Sequence, residues 1–186
     1  MRLAVPRLRF GSPSVEAKFA VPPQCVWLDS PLGSVNLVTE DGHHLSAIRL
    51  LDRPESSPST VAAGCEILER ASHQLAEYFA GRRQQFDLPL QPAGTPFQQR
   101  VWQALQQIPF GTTASYQEIA RAIGQPTACR AVGGANGRNP LPIVIPCHRV
   151  IGVRGALVGF SAGLDRKVWL LGHEAAFAPQ SSAGPA

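Results

Sequence analysis

Long apolar runs are missing from this 186-residue chain. None approaches the ~20 consecutive apolar residues that a membrane-spanning helix needs, so no membrane association is expected. The opening residues Met1–Phe10 contain three arginines and a proline and no apolar centre. They do not read as a signal peptide, and a cytoplasmic location is expected. Clustered cysteines are missing too. Cys25, Cys65, Cys129 and Cys147 are scattered, with no C-x-x-C pair, and without an export signal disulfides are not expected. His43 and His44 are adjacent, but no cysteine lies at finger-like spacing from them. No metal site is expected. Charge is sparse, at 16% of residues against 44% apolar, which is the profile of a folded protein and not of a disordered one.

What charge there is lies unevenly. Residues 1–91 carry nine Lys/Arg and ten Asp/Glu (net −1); residues 92–186 carry eight and three (net +5). The second half is the face suited to a polyanion, although a solvated basic surface without a partner would read the same way. The length suits one ordinary domain or two small ones.

Residues 1–22 contain several prolines and no periodicity and read as a lead-in. Asp41-Gly42, between the apolar runs Val35–Thr39 and Leu45–Leu51, predicts a hairpin. Residues 53–60 (RPESSPST) read as a polar loop. Residues 61–80 place Ile67, Leu68, Leu75 and Phe79 at helical spacing, and Gly81 ends the run. A helix is predicted from Pro96, with Phe97, Val101, Leu105 and Ile108 on one side and Gly111 as its stop. The crossing between the halves falls in Gln84–Thr95.

Ser115-Tyr116-Gln117-Glu118 has the S-x-x-E pattern of a capping box. It opens a short helix with Ile119, Ala120 and Ile123 inside and Gly124 as its C-terminal stop. Pro126 suits the first turn of a second helix running to about Asn136. The pair reads as a helix-turn-helix. The second helix is small everywhere except Arg130: Thr127-Ala128-Cys129-Arg130-Ala131-Val132-Gly133-Gly134-Ala135. Each interior glycine costs a helix ~1 kcal/mol. Close packing against another helix is one reason to tolerate that. The other is a helix laid into a narrow groove with one arginine projecting. It lacks the several long polar side chains of a major-groove reader, so it suits minor-groove and backbone contact without sequence preference.

Asn139–Val150 (NPLPIVIPCHRV) delivers a cysteine beside a histidine after an apolar, proline-flanked run. A thiolate is the nucleophilic form of cysteine, and a histidine can take the thiol proton. A carboxylate behind the ring can orient it. A later helix opened by Asp165 ends at His173-Glu174 and makes Glu174 the candidate third member. Adjacent side chains of an extended strand point apart, so Cys147 and His148 need a turn or a bridging water to communicate. From these residues alone, an inert buried cysteine beside a surface histidine remains open.

Pro146-Cys147-His148-Arg149-Val150 is similar to the PCHRV signature of the O6-alkylguanine-DNA alkyltransferases. The resemblance extends through Gly111-Thr112-Thr113, Ser115-Tyr116, Glu118-Ile119-Ala120, Arg130-Ala131-Val132-Gly133, Asn139-Pro140, Gly163-Leu164, Trp169-Leu170-Leu171 and His173-Glu174. It is strong over residues 95–176 and weak over 25–90. It implies that Cys147 accepts the alkyl group from guanine O6 once and irreversibly, without a cofactor. His148 and Glu174 match the activating pair, with a water between cysteine and histidine. Tyr116 matches the donor to the departing guanine, and Asn139 the residue that holds the active-site turn. Arg130 matches the arginine that fills the stack when the base is rotated out, on a DNA-binding helix with Thr127, Cys129, Ala131 and Gly133. Carbonyls of Cys147 and Val150 would accept from the guanine amine, with Phe160, Ser161 and Ala162 lining the alkyl pocket. Phe160 and Ala162 stand where the family commonly has tyrosine and glycine. The added methyl of Ala162 is expected to leave methyl transfer alone and slow benzyl transfer. Equal or faster inactivation by the benzylated than by the methylated free base would refute that.

The expected partner is double-stranded DNA carrying O6-alkylguanine (O4-alkylthymine too), bound by a monomer with little sequence preference. The expected architecture is an N-terminal α/β domain with a small antiparallel sheet (23–91), a C-terminal winged-helix-like helix-turn-helix domain with the active site (92–176), and a flexible tail (177–186). Two rivals stand beside this reading. A cysteine hydrolase using Cys147, His148 and Glu174 needs an oxyanion hole and would turn over an acyl probe. A damage-binding protein without chemistry would bind the lesion and leave the alkyl group in place.

Overall fold

A computed structural model describes residues 23–52 and 64–178. The lead-in 1–22, the 53–60 loop and residues 179–186 lie outside the described residues.

Three strands form an antiparallel meander in the order β1 (Gln24–Ser30), β2 (Gly33–Thr39), β3 (Ala47–Leu51). The β1–β2 turn needs a glycine: Gly33 has φ +98°, and a Cβ there would lie 2.5 Å from the Leu51 carbonyl oxygen. The hairpin read from Asp41-Gly42 is present as β2–β3, with Val38 opposite Ala47. Asp41 organises its loop, its carboxylate accepting from the amides of His43 (2.8 Å) and His44 (2.9 Å).

Helix α1 (Glu66–Phe79) packs Ile67, Leu68, Ala71, Leu75 and Tyr78 inward, against a sheet whose central strand buries Val35 and Leu37. Each such side chain contributes ~1.5–3 kcal/mol of burial, more than helix propensity could supply. The expected helix over 61–80 is shorter at its start among the described residues, because Gly64 sits at φ +84° and Cys65 is extended.

The C-terminal half is helical. Helix α2 (Pro96–Leu105) begins with a capping box that the sequence reading passed over. Thr95 Oγ1 accepts from the Gln98 amide at 3.3 Å, and Gln98 Oε1 accepts from the Thr95 amide at 2.8 Å. Its Trp102 donates Nε1–H to the Ala135 carbonyl at 2.9 Å, which ties it to α4 (Cys129–Gly137). Between them lie β4 (Ala114–Ser115) and α3 (Tyr116–Ala122), the latter opened by the Ser115–Glu118 box. β4 pairs in parallel with β5 (Val150–Ile151), and α5 (Leu164–Phe177) closes the chain.

Three further boundaries differ from expectation. Helix α2 ends at Leu105 and not at Gly111, so Ile108 is buried from the turn that follows it. Pro126 is not in the first turn of α4. The Ala128 amide donates to the Gln125 carbonyl at 2.9 Å, which puts Pro126 at the second position of a β-turn, where its fixed φ is equally welcome. The helix starts at Cys129 and reaches Gly137, so Thr127 belongs to the turn. Nor does α5 stop at Glu174. It continues through Phe177, whose ring covers Gly81 and whose carbonyl accepts from Gln84 Nε2 at 3.0 Å, so Phe177 is part of the folded body and not of a tail.

The halves are joined through backbone as well as side chains. The Ile48 amide of β3 donates to the Pro140 carbonyl at 2.8 Å, just upstream of the cysteine loop. Arg166 of α5 donates to the Leu32 carbonyl (2.9 Å), the Ala162 carbonyl (2.8 Å) and Asp52 (2.6 Å).

Candidate active site

The proline-flanked run before Cys147 is a folded-back loop. The Ile145 amide donates to the Leu141 carbonyl at 2.8 Å, and Ile143, fully buried, sits at φ +76°. That conformation is costly for a β-branched residue and persists only where surroundings enforce it. Asn139 enforces it from both ends: Oδ1 accepts from the Leu141 amide (3.0 Å), and Nδ2 donates to the Ile145 carbonyl (2.8 Å). Asn136 of α4 donates to the Cys147 carbonyl at 3.3 Å.

Cys147–Arg149 then form a single 3-10 turn. The extended-strand geometry that would separate neighbouring side chains does not apply here. Cys147 is 2% exposed and His148 fully buried. Burial pushes the Cys147 thiol up to about 11, only partly offset by hydrogen bonding from Asn139 and the positive charge of Lys167. Burial also lowers His148, against the pull of Glu174. The resting pair is therefore thiol and neutral imidazole.

Glu174 of α5 anchors the other side. Its Oε1 accepts from His148 Nε2 (2.8 Å), Arg149 Nη2 (2.8 Å) and the Tyr78 hydroxyl (2.9 Å). Its Oε2 accepts from Arg149 Nε (2.8 Å) and the Gly111 amide (3.0 Å). Burial raises the carboxyl, but the bonds from His148 and Arg149 together outweigh it and hold Glu174 down at about 2. A buried carboxylate needs such a partner. Arg149 supplies the compensating charge, so His148 need not be cationic. Arg149 Nη1 also donates to the Ile108 carbonyl at 2.6 Å. His148 Nδ1 is buried and has no hydrogen-bond partner among the described residues.

The fold thus brings Cys147, His148, Glu174 and Asn139 into one cluster. It adds three residues that the sequence reading gave no role: Arg149, Tyr78 and Lys167. Arg149 was visible within the signature but had no assigned partner. Tyr78 bonds across 96 positions, a separation that leaves no local signal. Lys167 is fully buried and donates Nζ–H to the carbonyls of Val150 (2.6 Å) and Val158 (2.8 Å), pinning β5 to the 153–163 loop.

Tyr116 stands at the edge of this cluster. Its hydroxyl donates to the Val158 carbonyl at 3.3 Å, and burial first, then the nearby Cys147 charge, raise its pKa. It stays a protonated donor. Tyr116 also lines an open groove of about 840 Å³, together with Ser115, Gln117, Cys129, Arg130, Gly133 and the 153–155 turn. Cys147 does not line it. Arg130 and Ala131 are exposed on α4, Thr127 is exposed in the preceding turn, and Gly133 is half-buried against Tyr116. A Cβ at Gly137 would meet nothing within 4 Å, and at Gly134 only the end of the Arg138 side chain. These glycines are not packed under another helix. In the pocket segment Phe160 is buried, Ala162 half-buried and Ser161 exposed.

Residues 96–176 match the family model described as 6-O-methylguanine DNA methyltransferase, DNA binding domain, and residues 25–92 the one described as its ribonuclease-like domain. The chain is 48% identical over 155 residues to a methylated-DNA–protein-cysteine methyltransferase of Mycolicibacterium paratuberculosis, covering 83% of this chain and 93% of that one. It is 46% identical over 151 residues to the constitutive one of Bacillus subtilis, covering 78% and 92%. The crystal structure of Mycobacterium tuberculosis O6-methylguanine methyltransferase superposes with a TM-score of 0.76 at 45% identity, covering 86% and 97%. A structure of the protein from that organism in complex with DNA gives 0.74 at 46% identity, covering 85% and 95%.

Proposed function

Because the chain belongs to the methylated-DNA–protein-cysteine methyltransferase family, we propose that Cys147 is its acceptor and that O6-alkylguanine in duplex DNA is its substrate, with O4-alkylthymine as a second one. The observation that carries this reading is the buried His148–Glu174 pair placed beside the buried Cys147 on one 3-10 turn.

The chemistry is one displacement. Cys147 Sγ attacks the alkyl carbon, the S–C bond forms, and the C–O6 bond breaks with its electron pair going to guanine. The thiol proton passes to His148; its unpartnered Nδ1 suits relay through a water. Tyr116 donates its hydroxyl proton or a hydrogen bond to the departing base. The thioether has no easy leaving group, so each molecule acts once and no cofactor enters.

Reaching Cys147 requires the base to leave the duplex, at a cost of a few kcal/mol of unstacking. Helix α4, with its short side chains and open glycine positions, approaches the minor groove, and Arg130 fills the vacated stack. Cys129, Ala131, Gly133 and Thr127 line the same approach. A relative solved in complex with DNA supports DNA as the partner. The flipped base lies against Val150, Phe160, Ser161 and Ala162. The protein acts as a monomer with little sequence preference.

The test is stoichiometric. Duplex DNA carrying a radiolabelled methyl on guanine O6 is mixed with wild-type protein and with Cys147→Ser. Label on the wild type saturating near one methyl per molecule, and absent from the variant, supports the assignment. Label retained on DNA bound by wild type overturns it.

A further inference from the structure

We propose that Tyr78, on α1 of the N-terminal half, is a positioning residue of the transfer reaction: its hydroxyl holds the Glu174 carboxylate that orients His148. The inference rests on the assignment of Cys147, His148 and Glu174 made above.

Two parts of the Tyr78 side chain do different work. The ring is fully buried and packs against Phe79 (5.6 Å between centroids), Phe86 (5.5 Å), Phe110 (6.1 Å) and His173 (5.2 Å). These contacts are apolar and do not need the oxygen. The hydroxyl reaches past them to donate to Glu174 Oε1 at 2.9 Å, the same oxygen that takes the His148 Nε2 hydrogen bond. Burial and the Glu174 charge both raise the Tyr78 phenol, so it remains a donor at every working pH.

The groups that surround this carboxylate and its direct partners come from four elements. Tyr78 is the contribution of α1. The loop after α2 gives the Gly111 amide and the Phe110 ring. The 3-10 turn gives His148 and Arg149, with Cys147 beyond them, and α5 gives His173 and Lys167. His173 binds the Tyr78 carbonyl at 2.7 Å and so fixes α1 itself against α5. Among these groups the Tyr78 hydroxyl and the neutral His148 imidazole are the uncharged side-chain donors to Glu174, and of the two only the hydroxyl takes no part in the proton transfer. It withdraws charge density from Oε1 without adding a charge. Its removal makes Glu174 a stronger acceptor, which favours protonated His148. Protonated His148 cannot take the thiol proton.

The consequence is a specific pH signature. In Tyr78→Phe the ring packing is retained and one oxygen is lost. The ratio of variant to wild-type transfer rate is expected to fall as pH is lowered from 8 through the His148 titration, which burial places below the ordinary imidazole range, by roughly three- to tenfold in all. Replacing Tyr78 by 3-fluorotyrosine keeps the shape and strengthens the donor, and the ratio should then fall with rising pH. Both are measured as single-turnover transfer from methylated duplex to full-length protein, beside thermal unfolding. Opposite slopes for the two replacements support the proposal. Wild-type pH profiles in both, whatever the melting temperatures, overturn it and leave Tyr78 a packing residue. If Tyr78→Phe does not fold, the sign of the fluorotyrosine slope decides alone. Wild-type protein that transfers nothing sinks the underlying assignment as well, a result distinct from an unchanged profile.

Discussion

Glu174 accepts five hydrogen bonds and is balanced by one guanidinium, so its protonation and its partners govern local stability. Its carboxyl is held at about 2 against an ordinary 4.5. The folded form binds the proton less readily than the unfolded one. The stability from this group is therefore fully present above 4.5 and is lost as pH falls through about 2. Urea unfolding between pH 5 and 2 should show a shallower loss in Glu174→Gln than in wild type. Arg149→Met leaves the carboxylate buried without its counter-charge and should cost about 3–5 kcal/mol by the same measurement. Little of this was legible in the chain. Cys147, His148 and Glu174 could be named from a resemblance, but 26 residues separate His148 from Glu174, and only the packing of α5 against the 3-10 turn joins them. Arg149 was read as part of a signature and not as the counter-charge of the buried Glu174 carboxylate.

At the level of the element, local rules worked where the interaction is local. The Ser115 box was legible because its partners lie three residues apart, and Thr95-Pro96-Phe97-Gln98 offered the same signal unread. Ser115→Ala should lower stability by about 1 kcal/mol in thermal or urea unfolding. The start of α4 was misplaced because proline is favoured both at a helix start and at the second position of a β-turn; only the Ala128–Gln125 bond distinguishes them. The composition of α4 was read without knowing which face would be open. A Cβ at Gly133 would lie 3.7 Å from the Tyr116 ring, an ordinary contact. Gly133→Ala should therefore stabilise the protein by about 0.5–1 kcal/mol. The same substitution is expected to weaken binding to duplex DNA in a titration. Unchanged binding would mean that the glycine is not kept for close approach.

For the molecule as a whole, the charge split read from the sequence acquires a location. The net-positive half carries the groove and α4. DNA affinity should fall linearly with the logarithm of salt concentration, and equal affinity at low and high salt would contradict phosphate-dominated binding. The N-terminal half reaches the site at three points: Tyr78 to Glu174, Ile48 to Pro140, and Leu32 and Asp52 to Arg166. Asp52 is almost fully exposed, so its ion pair is screened and weak; the Arg166 bond to the Leu32 carbonyl carries the strap. Arg166→Ala should lower the melting temperature by a few degrees, as the loss of ~1 kcal/mol does for a protein of this size, and Asp52→Asn should leave it nearly unchanged. None of these joints follows a spacing rule, which is why the domain layout could be read while the joints could not.

A molecule that reacts once is consumed by any reaction, including the wrong one. Cys147 rests as a buried thiol, its proton held by burial. Stray oxidants and soluble electrophiles meet a group that is both shielded and in its unreactive form. On the proposed single transfer to Cys147, idle copies keep their capacity, and the number of lesions a cell can reverse equals the number of copies it has stored, undiminished by waiting.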